Sequence, residues 1–171
     1  KVMQALQPVL RKGSWKVTVA VHARRRIIAL WPGLQKHLYG MAVDVGSTTI
    51  AAHLCDLDTG EVVASAGVMN PQIRFGEDLM SRVSYVMMNP GGEVDMTGAV
   101  RQALNQLASD VAGQAGISAG DILEATFVGN PIMHHLLMGI NPVELGGAPF
   151  ALAVDRAIDV RASEIGLDLH P

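Results

Sequence analysis

The sequence predicts a mixed α/β fold, of the α+β kind, in which a three-stranded antiparallel meander is followed by crossover helices and a parallel strand. Three strand-like runs joined by short turns fill residues 39–67, an arrangement typical of a meander. Residues 76–115 carry apolar side chains at helical spacing, and a further β-rich run follows at residues 122–128. The order β-β-β-α-α-β-α is that of a ribonuclease-H-like unit, which we expect residues 39–171 to form in part.

The composition excludes several classes of protein. The chain has 171 residues, 49% of them hydrophobic and 17% charged, which excludes wholesale disorder. No apolar run reaches the roughly 18 residues of a membrane span, and the N-terminus lacks the layout of a secretory signal. The one cysteine, Cys55, excludes an internal disulfide and a cysteine-ligated cluster within this chain. We therefore predict a cytoplasmic protein without a membrane partner.

The charges divide the chain into two unequal parts. Residues 1–40 contain eight of the thirteen lysines and arginines and no acidic residue, a net charge of +8. Residues 41–171 contain the other five basic residues and all sixteen acids, a net charge of −11. A basic segment of this kind binds nucleic acid, an acidic neighbouring protein or the acidic half of its own chain. Because Arg24-Arg25-Arg26 is one short run without interleaved aromatic residues, we favour an acidic surface and expect no nucleic acid.

Residues 1–38 are predicted to be the end of a small α+β module. Apolar residues recur at helical spacing from Val2 to Leu10, and a glycine after two basic residues is typical of a helix C-terminus. Residues 15–21 alternate and are rich in β-branched side chains, which predicts a strand, and residues 27–30 predict a second. Since the chain starts with Lys1 and ends in what resembles a connection, we expect a fragment of a longer protein.

Residues 39–171 supply the remaining elements. Strands are predicted over residues 39–45, 49–57, 61–67 and 122–128, and helices over residues 76–88, 97–115 and 132–138. Thr97 is the predicted N-cap of the long middle helix, whose buried stripe would comprise Val100, Leu104, Leu107 and Val111. Short strands are expected at residues 151–154 and 157–160.

The run most informative about chemistry is Asp44-Val45-Gly46-Ser47-Thr48-Thr49. The glycine lets a ligand approach the backbone closely, and the N–H groups and hydroxyls of the turn can converge on phosphate oxygens. Asp44 can hold Mg²⁺ through water. The alternative is a plain hairpin whose hydroxyls satisfy the turn backbone. The flanking apolar strands favour phosphate, since together they resemble the first phosphate loop of the superfamily of actin, heat-shock chaperones and sugar kinases.

A second run, Gly129-Asn130, joins a strand to a helix, so that backbone N–H groups lie near the carboxyl ends of the strands, where a nucleotide cleft would be. The alternative is that Asn130 simply caps the helix. The adjacent His134 and His135 are not expected to bind a metal, because neighbouring residues do not share a helix face.

A third run, residues 70–82, is dense in polar side chains. It joins the meander to the first helix of the larger part. We expect Arg74, Asp78 and Arg82 to form a salt-bridge set with a structural rather than a catalytic role.

Three motifs in this order closely resemble the reductive activators of corrinoid proteins: GMAVDVGSTTIAAHLCDLDTGEV, NPQIRFGEDLMSRV and VGNPIMHHLLMGINPVELGGAPF. The resemblance covers about residues 40–150, and residues 1–38 resemble the end of the family's middle module more loosely. It implies an ATP-dependent protein with a [2Fe–2S] ferredoxin domain, a small middle domain and an actin-like ATPase domain. The activity it implies is the return of an oxidised Co(II) corrinoid protein to Co(I).

The resemblance also implies roles for single residues and cofactors. It assigns Asp44, Gly46, Ser47, Thr48 and Thr49 to the first phosphate loop, Gly129 and Asn130 to the family's Gly-Asn turn, and His135 to the histidine of the next helix. It implies ATP and Mg²⁺ as cofactors, a [2Fe–2S] cluster in the full-length protein but not in this chain, and a corrinoid protein as partner. Because the ferredoxin domain and the second half of the actin-like fold are missing, we expect this piece alone neither to transfer electrons nor to turn over ATP.

Other functions share the fold and stay open at this point. An actin-like kinase, or another ATPase of that superfamily, would carry the same phosphate loop without the other two motifs. A ribonuclease-H-like nuclease would use Asp44 to bind metal, but it needs further carboxylates nearby. A docking module would use the basic residues 1–40 as its contact surface. The nine methionines suggest exposed apolar surface, which leaves a homodimer open.

Overall fold

The computed structural model describes residues 2–170. The N-terminal part consists of a helix, α1 (Val2–Lys12), and a hairpin of two antiparallel strands, β1 (Val17–His22) and β2 (Arg26–Pro32). Ala23 and Arg24 make the hairpin turn with positive φ angles of 49° and 57°. The predicted helix and both strands are confirmed, with strand ends that differ from the prediction by two residues or fewer.

The larger part is built on a four-stranded sheet. Its strands are β3 (Tyr39–Val45), β4 (Thr49–Asp56), β5 (Val62–Met69) and β6 (Ile122–Val128), in the order β5-β4-β3-β6. β4 pairs antiparallel with β3 and with β5, whereas β6 lies parallel to β3. A mixed α/β architecture is therefore confirmed, and the sheet places the carboxyl ends of β3 and β6 side by side.

Three helices accompany this sheet. A 3-10 turn, Pro71–Phe75, leads from β5 into α2 (Leu79–Met88), which is followed by α3 (Gly92–Gln114). After β6 comes the short helix α4 (Pro131–Met138), which ends at Gly139 with a left-handed φ of 76°. Pro131 stands at the first position of α4, where its missing N–H is not needed.

The core lies between the helices and one face of the sheet. Alternate residues of β3 and β4 point into it because successive side chains of a strand face opposite sides. The predicted stripe of α3 is confirmed, since all four of its residues are buried. The side chains that meet here are those of Met41, Val43, Val45, Ile50, Ala52, Leu54, Val100, Leu104, Leu107 and Val111.

The opposite face of the sheet is more polar and more exposed. It carries Ala42, Asp44, His53 and Thr126, all exposed. His53 Nδ1 lies 2.8 Å from the hydroxyl oxygen of Ser65 on the neighbouring strand. The Asp44 carboxylate therefore stands on the side of the sheet away from the core.

Two predicted helix starts are wrong. α2 begins at Leu79 rather than residue 76, because Asp78 caps it: its carboxylate accepts the Ser81 N–H at 2.7 Å. α3 begins at Gly92, five residues before the predicted cap Thr97. Thr97 instead lies buried inside the helix, where its hydroxyl donates to the Leu136 carbonyl oxygen of α4 at 2.7 Å.

The two short strands predicted near the C-terminus are also wrong. Residues 151–154 and 157–160 are irregular, and the segment that follows contains only a 3-10 turn, Ala162–Ile165. Ile165 and Leu167 are buried against the core. The apolar residues of this segment are thus used for packing without forming a strand.

Three histidines connect the N-terminal part to the larger part. His37 Nδ1 lies 2.7 Å from an Asp56 carboxylate oxygen, and His22 Nε2 lies 3.8 Å from Glu124. The ring of His170 contacts two carbonyl oxygens, that of Ile28 in β2 and that of Gly120 before β6. The contacts of His22 and His170 join the hairpin to the region where β6 begins, and that of His37 fixes the segment between the hairpin and β3.

Candidate functional site

The candidate site lies where β3 ends. Val43 and Val45 are buried, each 2% exposed, so Asp44 between them points to the other side of the sheet. Within residues 2–170 the Asp44 carboxylate has no hydrogen-bond or ion-pair partner. A carboxylate that is exposed and unpaired at the end of a rigid strand is available to a ligand.

The loop from Gly46 to Thr48 connects β3 to β4. A Cβ at position 46 would lie 2.4 Å from the carbonyl oxygen of Thr49, so only glycine fits there. Ser47 is half-buried, while Thr48 and Thr49 are exposed. The loop therefore presents hydroxyl residues at the surface next to Asp44.

The carbonyl groups of this loop face inward. Asn70 donates from its side-chain Nδ2 to the Gly46 carbonyl oxygen at 2.8 Å and from its backbone N–H to that of Thr48, also at 2.8 Å. Arg82 donates from Nη2 to the Ser47 carbonyl oxygen at 2.5 Å. Asn70 and Arg82 are both completely buried. Reasoning from the sequence did not assign these two residues to the loop.

Arg82 departs from the prediction made for it. The expected salt-bridge set of Arg74, Asp78 and Arg82 is wrong: among the described residues none of the three forms an ion pair. Asp78 caps α2, and Arg74 lies over the ring of Phe75 at 4.6 Å. Burial lowers the pKa of Arg82 from its ordinary value, and the charge of Asp78 opposes this effect.

The second predicted turn lies beside the first. Val128 is in register with Asp44, and a Cβ at position 129 would lie 3.0 Å from the Val45 carbonyl oxygen. Asn130 caps α4, since its Oδ1 accepts the Met133 N–H at 3.0 Å. The structure therefore brings Gly129 against Val45, the last residue of β3, and gives the Asn130 side-chain oxygen a capping role.

Met133 lies behind both turns. Its sulfur is 3.3 Å from Arg82 Nη1 and 3.7 Å from Asn70 Nδ2. Its backbone N–H is the one capped by Asn130. One buried methionine thus joins the start of α4 to the residues that hold the first loop.

His135 has a packing role in this structure. It is 1% exposed, and its Nδ1 lies 2.7 Å from the Pro131 carbonyl oxygen. Because that oxygen can only accept, Nδ1 carries the proton and Nε2 accepts the Ala153 N–H at 3.2 Å. His135 thereby ties the irregular segment around Ala153 to α4.

The residues around Asp44 limit how this site could bind a metal ion. Within residues 2–170 no three His, Cys, Asp or Glu side chains come together closely enough to hold a metal ion. The described residues therefore do not form the converging carboxylates that a two-metal nuclease needs. A Mg²⁺ ion at Asp44 would have to take most of its ligands from water and phosphate.

Concave surfaces lie elsewhere on the molecule. One cavity of about 210 Å³ lies between α1, β2 and residues 120–121, and another is lined by residues 34–38. Neither includes Asp44 or the loop that follows it. In the described part of the chain, every helix is too short or too polar to span a bilayer.

Comparison with protein-family models shows to which family this chain belongs. Residues 39–171 match the family model described as RACo middle region, and residues 1–37 match that of the RACo linker region. The chain belongs to the RACo family of reductive activators of corrinoid proteins. The resemblance predicted from the three sequence motifs is thereby confirmed.

Individual relatives agree with this assignment. The corrinoid activation enzyme RamQ of Eubacterium limosum is 32% identical over 148 residues, which is 85% of this chain and 25% of that protein. A solved structure of a "reductive activator for corrinoid, iron-sulfur protein" superimposes with a TM-score of 0.86 and 29% identity, covering 99% of this chain and 28% of that one. This RACo chain thus spans about a quarter of the length of these relatives.

A second solved structure resembles this chain only weakly. The Ppx/GppA phosphatase of Aquifex aeolicus matches 77% of this chain and 34% of its own with 11% identity and a TM-score of 0.36, a likeness too weak to carry an argument. That residues 39–171 are half of an actin-like ATPase domain therefore stays a prediction.

Proposed function

We propose that this chain supplies the first phosphate-binding loop of an ATP-dependent reductive activator of a corrinoid protein. One observation carries the proposal: the unpaired Asp44 carboxylate lies next to a loop whose carbonyl groups are all held inward. Such a loop leaves its N–H groups and hydroxyls for phosphate oxygens. The order of strands β5-β4-β3-β6 supports placing this loop in a ribonuclease-H-like half of an actin-like ATPase.

In this proposal Asp44 holds Mg²⁺ through water. Mg²⁺ keeps several waters and binds through one or two carboxylates together with substrate phosphates. One exposed carboxylate beside a phosphate loop fits that requirement. Ser47, Thr48 and Thr49 would contact the phosphates, and Gly129 would let the nucleotide approach the second turn.

The reduction itself is assigned to other parts of the protein. Returning Co(II) to Co(I) takes one electron, which a [2Fe–2S] cluster would supply. Such a cluster needs four ligands, whereas Cys55 is the single cysteine of this chain and is half-buried. We therefore propose that this segment, by itself, neither transfers electrons nor hydrolyses ATP, and that it acts in the cytoplasm with the rest of the protein.

The test uses the full-length protein that contains this sequence. Asp44→Asn should weaken binding of MgADP, measured by calorimetry, and slow the ATP-dependent appearance of Co(I) in a corrinoid protein, followed by absorbance. Asp58→Asn, which changes an exposed carboxylate in the turn between β4 and β5, is the matched control and should leave both unchanged. Equal MgADP affinity in the two variants and the wild type would overturn the proposal.

The corrinoid protein is the proposed partner, because the relatives are described as a corrinoid activation enzyme and a reductive activator for a corrinoid, iron-sulfur protein. Arg24, Arg25 and Arg26 are exposed at the β1–β2 turn, and we propose that this basic turn contacts it. Reversing these three charges should weaken the complex in a pull-down, with Arg156→Glu as a control in the irregular C-terminal segment. An unchanged complex would exclude the turn as the contact.

A further inference from the structure

Three consecutive carbonyl groups of the loop are held by one buried scaffold. Gly46, Ser47 and Thr48 each have their carbonyl oxygen bonded to a donor of Asn70 or Arg82, at 2.8, 2.5 and 2.8 Å. Both donors come from the segment between β5 and α2 or from α2 itself. The loop is thus fixed from behind along its whole length.

This arrangement fixes the direction of the N–H groups. In a planar trans peptide the C=O and the next residue's N–H point in opposite directions, and the peptide bonds of this loop are trans. With the carbonyls of Gly46 and Ser47 directed inward, the N–H groups of Ser47 and Thr48 point toward solvent. Within residues 2–170 neither N–H has an acceptor. Successive unpaired N–H groups make an anion-binding concavity.

The side chain that donates to the Ser47 carbonyl oxygen is a buried arginine, not a neutral residue. A buried guanidinium is stable only when its donors are satisfied, and among the described residues Arg82 has no ion-pair partner. Its donors go to the carbonyl oxygens of Gly76 and Ser47 and to the Met133 sulfur. A neutral donor could hold the Ser47 carbonyl equally well. A buried positive charge directly behind the loop also favours an anion in front of it, with little screening by water.

We propose that Arg82 and Asn70 are positioning residues for the phosphate loop: they orient the Ser47 and Thr48 amides toward the ligand, and Arg82 adds its charge. This rests on the proposed function for the ligand, but the orientation of the loop is a property of the protein alone. Neither residue touches the nucleotide in this proposal.

The experiment compares Arg82 with Arg101, a half-buried arginine, in the full-length protein. Arg101 also donates to a backbone carbonyl, that of Leu137 at 3.0 Å, and burial also lowers its pKa, but it lies away from the loop. Arg82→Met should weaken MgADP binding about tenfold or more, the size of one lost charge-assisted hydrogen bond. Arg101→Met should lower the urea midpoint of unfolding without changing MgADP affinity. Equal effects of both variants on affinity would overturn the proposal.

Two further variants keep the test decisive if Arg82→Met fails to fold. Arg82→Lys keeps the charge and should recover part of the lost affinity. Asn70→Asp keeps the oxygen that accepts the Gln72 N–H but removes the donor to Gly46, and should weaken MgADP binding. Wild-type affinity in Asn70→Asp and Arg82→Lys alike would contradict the positioning role.

Backbone NMR order parameters of the Ser47 and Thr48 amides, measured without nucleotide, separate the two proposals. Lower order parameters in Arg82→Met than in Arg101→Met support the positioning role even if the wild type does not bind MgADP, an outcome that would refute only the proposed function. Unchanged order parameters in a folded Arg82→Met, together with wild-type MgADP binding, would refute the positioning role alone.

Discussion

Gly129 lies so close to Val45 that a Cβ at position 129 would come within 3.0 Å of the Val45 carbonyl oxygen. This contact brings the turn after β6 against the last residue of β3. The two motifs, residues 44–49 and 129–130, are separated by 80 positions from Thr49 to Gly129 and therefore share one edge of the sheet only through the fold. The contact also allows a direct test of how tightly the edge is packed.

Gly129→Ala should destabilise the protein by about 1–3 kcal/mol, the usual cost of forcing extra volume into a packed region. The atom that the new methyl group meets belongs to the backbone of a central strand, which cannot move aside as a flexible side chain would. Urea denaturation followed by circular dichroism measures the change. Gly98→Ala is the matched control, because Gly98 is exposed inside α3 with free space around it. It should stabilise by about 0.5–1 kcal/mol, and a Gly129→Ala protein as stable as this control would show that the contact yields.

Asn130→Ala should destabilise the protein by about 0.5–2 kcal/mol, because it removes the cap of α4. Asn130→Ser keeps a capping oxygen and should retain most of the stability. If, in the full-length protein, Asn130→Ser also binds MgADP like the wild type, the role of this side chain is limited to the cap. Equal stability of the Ala and Ser variants would mean that the cap contributes nothing.

Thr97→Val should destabilise the protein by about 1 kcal/mol or slightly more, because it breaks a buried hydrogen bond to the Leu136 carbonyl oxygen between α3 and α4. Thr97→Ser retains the hydroxyl and is the conservative comparison. Thermal or urea unfolding of the pair gives the difference. If the Val variant is as stable as the Ser variant, the hydrogen bond donated by the Thr97 hydroxyl makes no net contribution to the free energy of unfolding.

The Asp56 carboxylate makes the free energy of unfolding depend on pH in the acidic range. Its pKa is lowered from the model-peptide value of 3.8, first by the hydrogen bond with His37 and next by the Asp58 backbone N–H. A carboxylate with a lowered pKa in the folded state stabilises fully above its unfolded value and loses this contribution as the pH falls through the folded one. We therefore expect the urea concentration at the unfolding midpoint to decrease as the pH is lowered below about 4. This decrease should be smaller in Asp56→Asn. Asp155→Asn, at an exposed position, should follow the wild-type curve; identical curves for all three proteins would rule out this role of Asp56.

Much of the sheet could be predicted from the sequence because its signals are local. The observed bounds of β3 and β6 equal the predicted residues 39–45 and 122–128, since alternation and β-branched side chains reveal a strand without knowledge of its neighbours. The loop after Asp44 could likewise be located, because Gly46 and the hydroxyl residues mark a turn.

What could not be predicted depends on contacts between distant residues. α3 starts at Gly92, which packs under the ring of Tyr85, where a Cβ would lie 2.7 Å from a ring carbon, and nothing local indicates that contact. Residues 151–160 have strand-like runs, but a run becomes a strand only beside a partner strand.

Arg82 is a different case, because a signal was present. Leu79, Arg82, Val83 and Val86 follow the spacing of a single helix face, and three of the four are apolar. An arginine on an apolar face indicates a buried donor with a specific acceptor. Its charge led instead to the prediction of a salt-bridge set with Arg74 and Asp78.

The position of the Met133 sulfur has a mechanical consequence. This one atom touches both donors that grip the first loop, while its own residue belongs to the opening turn of α4. A displacement of α4 along its axis would therefore move the sulfur relative to those donors. The two turns at this edge should thus respond as one unit, and a disturbance introduced at either will be transmitted to the other through the protein interior.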